Sequence, residues 1–292
     1  LVPTISVIAM TVAACLAVLG YRFARLPGWR DQRWFWLLAA SASLYTGFNV
    51  LVTLDVPEWA VLLGSHGNWA SLALNVIAWN LHSAAHFHSR LGRLERALIA
   101  ATACVGLAAL LPGVLVQERV VTHHFFGIAY HEPPSTVLGS LAVLPLYAAF
   151  LLPLGRFLRH ARRDPDARRY ALGLVLLTTI SINDLLASTG AYPLPYLLDI
   201  GFLITVGLIW SVLMGRFTGA THRLDMLSSQ LEGIVTERTR ELAKAHEALG
   251  QAERLAAVGR LSAGVAHEIN NPSAAVVSSI SPGVPSGSIW GK

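Results

Sequence analysis

One short run near the end of the chain places reactive side chains at helical spacing. Val258, Leu261, Val265 and Ile269 recur as one apolar stripe. His267 lies two residues from both Val265 and Ile269, about 200° around a helix from each, so it projects away from the stripe into solvent. An imidazole with a pKa near ~6.5 is largely neutral at physiological pH, and its ring nitrogen can act as a nucleophile. Glu268 beside it can accept the departing proton as a general base. Asn271, one turn beyond, falls on the His267 face and can orient a water. Pro272 removes a backbone hydrogen bond and bends the helix just past the group. A lone helical histidine is usually structural or merely solvated, so the surrounding residues decide how this one is read.

Two further sets of residues are chemically suggestive. Asn49, Asn75, Asp184 and Asp199 interrupt long apolar runs, where polar groups are costly and are functional candidates by default. If their helices are neighbours they form a polar, ligand-sensing pocket; the plainer alternative is hydrogen bonding that fixes helix packing. Histidines make the other set. His82 and His86 share a helix face at i, i+4 with His88 beyond, and two such ligands need more to hold Zn²⁺. His123, His124 and His131, beside Glu132, fall in a long connection and are weak candidates for metal binding or for sensing acid pH. Cys15 and Cys104 lie in separate apolar runs, so neither a disulfide nor a cysteine metal site is expected.

These residues are carried by an unusually apolar chain. Of 292 residues, 54% are hydrophobic and 13% charged, with mean hydropathy +0.53. A soluble domain carries about 25% charged residues. Seven runs meet the requirement of roughly 20 apolar residues for a membrane-spanning helix: about 3–20, 34–54, 69–88, 97–116, 136–158, 170–190 and 195–215. Helices are expected because lipid leaves backbone groups no partner outside the segment. The first run lacks a basic stretch before it, which favours a retained span over a signal peptide. Trp34, Trp36, Trp59, Trp69, Tyr192 and Tyr196, at span ends, read as interfacial anchors.

Loop charges orient the spans. Arg22, Arg25, Arg30 and Arg33 follow the first, Arg90, Arg93 and Arg96 the third, and Arg156, Arg159, Arg162, Arg163, Arg168 and Arg169 accompany the fifth-to-sixth connection. The alternate loops hold Arg119 alone, with Asp55, Glu58, Glu118 and Glu132. The positive-inside rule then puts the N-terminus outside and the C-terminus inside. The expected fold is an all-α, multi-pass integral membrane protein, with a seven-helix bundle over residues 1–216. The basic pI near 9.6 is a topology signal, with membrane lipid as the partner of the short basic loops and no nucleic acid expected. A retinal Schiff base is excluded because the only lysines, Lys244 and Lys292, lie outside every span. Transporter-like internal repeats are not apparent.

After Arg216 the chain becomes charged. Leu224, Leu227, Leu231 and Ile234 follow heptad spacing, which slips through Val235 and resumes at Leu242, Ala245, Leu249 and Ala252. A slipped heptad locally unwinds a coiled coil. Residues 217–255 are therefore expected to form a cytoplasmic coiled-coil helix in a parallel homodimer. A solitary surface helix is the alternative, and the lack of bulky aromatics on the apolar face argues against it.

The run from Glu253 through Val258, Gly259, Arg260, Leu261, His267, Glu268, Ile269, Asn270, Asn271 and Pro272 resembles the H-box of sensor histidine kinases. The resemblance implies that His267 is the phosphoacceptor, taking the γ-phosphoryl group of ATP and passing it to an aspartate of a response-regulator receiver domain. It implies that Glu268 assists autophosphorylation and Asn271 phosphatase chemistry. ATP and Mg²⁺ are implied for a complete kinase, with neither expected to be held by this chain. Residues 256–280 would be the first helix of the dimerisation and phosphoacceptor domain. The stretch Ile182, Asn183, Asp184 and then Tyr196, Asp199, Gly201 and Phe202 resembles, less specifically, the last two spans of bacterial seven-helix sensor receptors.

The sequence departs from the H-box pattern at Ser273, where the family has leucine. Residues 281–292 are Pro/Gly/Ser-rich without periodicity and are expected to be a disordered tail. With no ATP-binding segment in the sequence, the expectation is a truncated or frameshifted kinase that does not phosphorylate itself. The competing expectation is a noncatalytic receptor or regulatory subunit phosphorylated in trans by an intact kinase.

Overall fold

The structure is a computed structural model and describes residues 2–25, 29, 33–125, 128–188 and 195–269. Seven helices and one hairpin are present among them: α1 Val2–Ala24, α2 Phe35–Thr53, α3 Glu58–His86, α4 Arg93–Ala108, β1 Val121–Phe125, β2 Ile128–Glu132, α5 Val137–His160, α6 Pro165–Ser188 and α7 Leu198–Ile269. The chain divides into a first unit ending at Thr218 and a second beginning at Gly219. The protein is mostly helical, and α1, α2, α5, α6 and α7 are each long and apolar enough to cross a membrane.

The other two helices differ from the expected spans for physical reasons. α3 begins at Glu58, about a dozen residues before the sequence-derived start, and its 29 residues rise about 44 Å at 1.5 Å each. It carries His66, Asn68, Asn75, Asn80, His82 and His86, which lower its hydropathy. It tolerates them because it packs against α2, α4 and α5, so protein rather than lipid meets most of its faces. Trp69 is thereby moved from a span end to the interior of α3, correcting its reading as an interfacial anchor. Tyr192 lies outside the described residues. α4 has 16 residues, about 24 Å of helix, and its apolar run continues as turns through Leu110 to Val114.

The first unit has one main core. Trp79 of α3, Phe35 and Leu38 of α2, Phe157 of α5, Tyr170 and Leu174 of α6, and Phe202 and Ile209 of α7 are all buried in it. α7 joins α6 through Thr205 Oγ1, which donates to Gly173 O at 3.3 Å, and α2 through the Tyr45 and Phe202 rings, 5.0 Å apart. α5 contains Pro145 and Pro153. Proline has no N–H for the carbonyl four residues back, and at Pro153 that carbonyl belongs to Ala149. Asn80 Nδ2 of α3 donates to Ala149 O at 2.9 Å, so a neighbouring helix fills the vacancy.

The connection between α4 and α5, expected to be a loop, contains the β-hairpin. β1 and β2 are antiparallel, with Val121 opposite Glu132 and Thr122 opposite His131. Thr136 caps α5 by accepting from Gly139 N at 3.0 Å and donates to Val114 O at 2.6 Å. Gly139 is required there, because a Cβ would sit 2.0 Å from Leu115 O. This clasp fixes the strands' base beside the bundle, where β2 lies against α2 and α3.

In the second unit the described residues form helix alone. Its apolar side chains are exposed, Leu231 at 60% and Leu242 at 70%. Arg238 and Glu241 pair at 2.8 Å across one turn.

Candidate functional site

The first unit contains a half-open cavity of about 680 Å³ at the end of the bundle that carries the hairpin. Asn49 from α2, Asn75 from α3 and Asp184 from α6 all line it, together with Asn68, Ser65, Glu132 and Tyr196. Asp199 does not line it but stands behind Asn49, whose Nδ2 donates to Asp199 Oδ2 at 2.8 Å. Ser6 of α1 donates to the same carboxylate oxygen. Asn68 Nδ2 donates in turn to Asn49 Oδ1 at 3.3 Å. A relay of side chains therefore runs from the cavity wall to the first turn of α7 and on to α1.

Asp184 reaches α7 directly. Its Oδ1 accepts from Leu197 N at 2.8 Å and its Oδ2 from Leu198 N at 2.9 Å. These are among the N–H groups that a helix start leaves without intrahelical partners, and a carboxylate there also complements the helix dipole. Asn183 Nδ2 adds a bond to Pro195 O at 2.9 Å. The Asn183-Asp184 pair thus caps α7 from the neighbouring helix, and the cap faces the cavity. Asn75 is placed differently, donating to Ser41 Oγ at 2.9 Å and Leu38 O at 3.3 Å.

The hairpin supplies one wall. Side chains alternate along a strand, so Tyr130 and Glu132 share a face while His131 takes the other. Tyr130 is buried, its ring 4.9 Å from that of Tyr196. Tyr196 donates its hydroxyl to Glu132 Oε2 at 2.5 Å. Burial pushes the Glu132 carboxyl up to about 7, outweighing the Tyr196 hydrogen bond that favours its charged form. Tyr196, read from the sequence as an anchor, is therefore a wall residue.

The same alternation separates the loop histidines. His131 Nδ1 is 3.0 Å from Thr122 Oγ1 on one face, whereas His123 stands opposite Tyr130 on the other. His124 is in β1, opposite Ala129. Among the described residues no group of three or more His, Cys, Asp or Glu could hold a metal ion. His82 packs among Trp79, Phe157 and Tyr170, and His86 Nε2 is 3.1 Å from Asp164 Oδ2. Burial would raise the Asp164 carboxyl, but hydrogen bonds from His86 and the Ala167 and Asp166 backbone outweigh it and hold it below the ordinary carboxylate range. Nearby, Arg156 pairs with Glu95 and donates to Ser83 Oγ at 2.9 Å, and Arg216 Nε donates to Asp166 Oδ2 at 2.8 Å. Arg216 thus ties α7 to the start of α6 just before the first unit ends.

In the second unit His267 is exposed on α7, as are Val258, Leu261, Val265 and Ile269. Glu268 is the next helical residue; its side chain and Asn271 lie outside the described residues, and so does the expected tail. Sequence reasoning missed Asn80, whose signal is a proline on α5 rather than anything on α3. It also missed Glu132 and Tyr196 as partners, although Val120, Val121 and Thr122 before Gly127, with Ile128 and Tyr130 after it, have strand-forming character. No protein-family model matches the chain, and a comparison with curated proteins finds no match either.

Proposed function

We propose that the chain is the sensing and phosphoacceptor part of a two-component histidine kinase system of the bacterial inner membrane. In this reading seven segments cross the membrane, N-terminus outside and C-terminus inside. A stimulus acts at the cavity, α7 carries the response, and His267 receives a phosphoryl group destined for a receiver-domain aspartate. The 217–255 segment pairs two copies in parallel. Glu268 takes the proton from His267, and Asn271 positions water for dephosphorylation.

The single observation that carries the proposal is the exposed His267, set opposite the Val258–Leu261–Val265–Ile269 stripe in a run that resembles the H-box. An exposed neutral imidazole is available for in-line attack on a phosphoryl group. α7 supports the signalling part, because one helix begins at the Asp184 cap beside the cavity and includes His267. α3 is long enough to span, whereas α4, at 16 residues, falls short of the roughly 20 that a span needs, so the seven-span count rests on the apolar runs of the sequence.

The test pairs the chain, in membrane vesicles, with a chimeric histidine kinase whose own acceptor histidine has been removed and which carries residues 217–255 of this chain. With radiolabelled ATP the chain is expected to gain an acid-labile label, and His267→Gln to lose it. Equal labelling of the His267→Gln chain would reject His267 as acceptor.

A further inference from the structure

The polar atoms of the cavity are not neutral in their demands. Asn75 Nδ2 donates to a backbone carbonyl, Leu38 O, which fixes the orientation of the amide. Its Oδ1 is buried without a hydrogen-bond partner, in a residue only 3% exposed. Asn49 Nδ2 donates to the Asp199 carboxylate, so Asn49 Oδ1 must be the atom that Asn68 Nδ2 meets. That leaves Asn68 Oδ1 likewise buried and without a partner. Among the described residues, the two amide atoms of the wall that have no partner at all are both acceptors, and an occupant satisfies them only by donating.

The charges point the same way. Glu132 and Asp184 line the cavity, and among the described residues no lysine, arginine or histidine does. Asp184 is occupied with the α7 backbone, whereas Glu132 has Tyr196 as its hydrogen-bond donor. The remaining wall is mostly apolar, with the aromatic rings of Tyr45, Trp69, Tyr147, Phe150 and Phe202 set among aliphatic residues. Aromatic faces attract cations while also covering an apolar body. A bare metal ion would leave these walls empty of contacts, and three acidic or imidazole ligands do not converge among the described residues. The volume instead falls in the roughly 300–1,000 Å³ range of small-molecule sites.

We propose that the cavity binds a hydrophobic organic ammonium ion. Glu132 supplies the countercharge, the Asn68 and Asn75 carbonyl oxygens accept N–H groups, and the aromatic wall holds the apolar body. The ionised form of Glu132, which burial disfavours, is restored by such a partner. The inference rests on the sensor reading for its signalling meaning, but binding itself needs no phosphoryl transfer.

Calorimetry on the full chain in lipid nanodiscs at about pH 8, above the Glu132 transition, tests it with three matched probes. Phenethylammonium, phenethyl alcohol and hydrocinnamate share an aromatic body and differ in head group. Phenethylammonium is expected to bind saturably and at least ~10-fold tighter than the other two. Glu132→Gln should weaken the ammonium by ~10-fold or more and leave the alcohol unchanged. Val143→Trp, which fills the cavity without removing a charge, should abolish binding and serves if Glu132→Gln does not fold. Absence of saturable ammonium binding, equal or tighter binding of the alcohol or carboxylate, or indifference to Val143→Trp overturns the proposal. The His267 labelling is read separately, so loss of one result leaves the other standing.

Discussion

The two units treat apolar surface in opposite ways. In the first, Phe35, Trp79, Phe157 and Tyr170 are buried against one another, and the polar groups that accompany them are largely bonded within the chain. In the second, Leu224, Leu231, Leu242, Leu249 and Leu261 stand on a helix with nothing described against them. Burying one such side chain is worth about 1.5–3 kcal/mol, and an isolated helix gains none of it. The difference teaches that the bundle covers its apolar side chains within the chain, whereas under the proposed pairing a second copy would cover those of the helix.

The largest effect should come from breaking that second relation. Leu231→Lys with Leu242→Lys is expected to turn a cross-linkable dimer into monomer, with the unfolding temperature of the bundle unchanged. Persistence of the dimer would place its contacts in the first unit instead. Within the bundle, Asn80→Leu leaves the Ala149 carbonyl without its donor and should lower stability by about 1–2 kcal/mol. Pro153→Ala restores a local N–H, so in the double variant the Asn80 substitution should cost clearly less; thermal unfolding of all four forms measures that coupling. Simple additivity would show that Asn80 does not serve the proline gap.

A smaller effect concerns pH. Glu132 is held at about 7 in the folded chain against an ordinary 4.5, so the folded state binds the extra proton between these values. Its contribution to stability is full below about 4.5 and is lost as pH rises through about 7. Unfolding temperature should fall across that window, and Glu132→Gln should flatten the fall. An unchanged slope in the variant would assign it to another group.

Legibility in the sequence followed the range of the interactions. The His267 run reads clearly because its spacing is local, and the apolar runs announce helices for the same reason. The grouping of Asn49, Asn75 and Asp184 around one cavity was legible as a conditional statement, since it needed only that their helices be neighbours. Asn80 was not, because its meaning comes from Pro153 on another helix. Trp69 was misplaced because α3 extends back to Glu58 through polar residues that a hydropathy reading discounts and a protein neighbour accepts. The Glu132–Tyr196 contact joins a hairpin to the segment before α7 and has no local signature.

Site mapping after transfer from the partner kinase tests most directly whether His267 accepts a phosphoryl group. Mass spectrometry under neutral or basic conditions should place the phosphoryl group on the peptide containing His267, and added receiver domain should remove it. A phosphoryl group found on serine, threonine or another histidine, with His267 unmodified, would contradict the account.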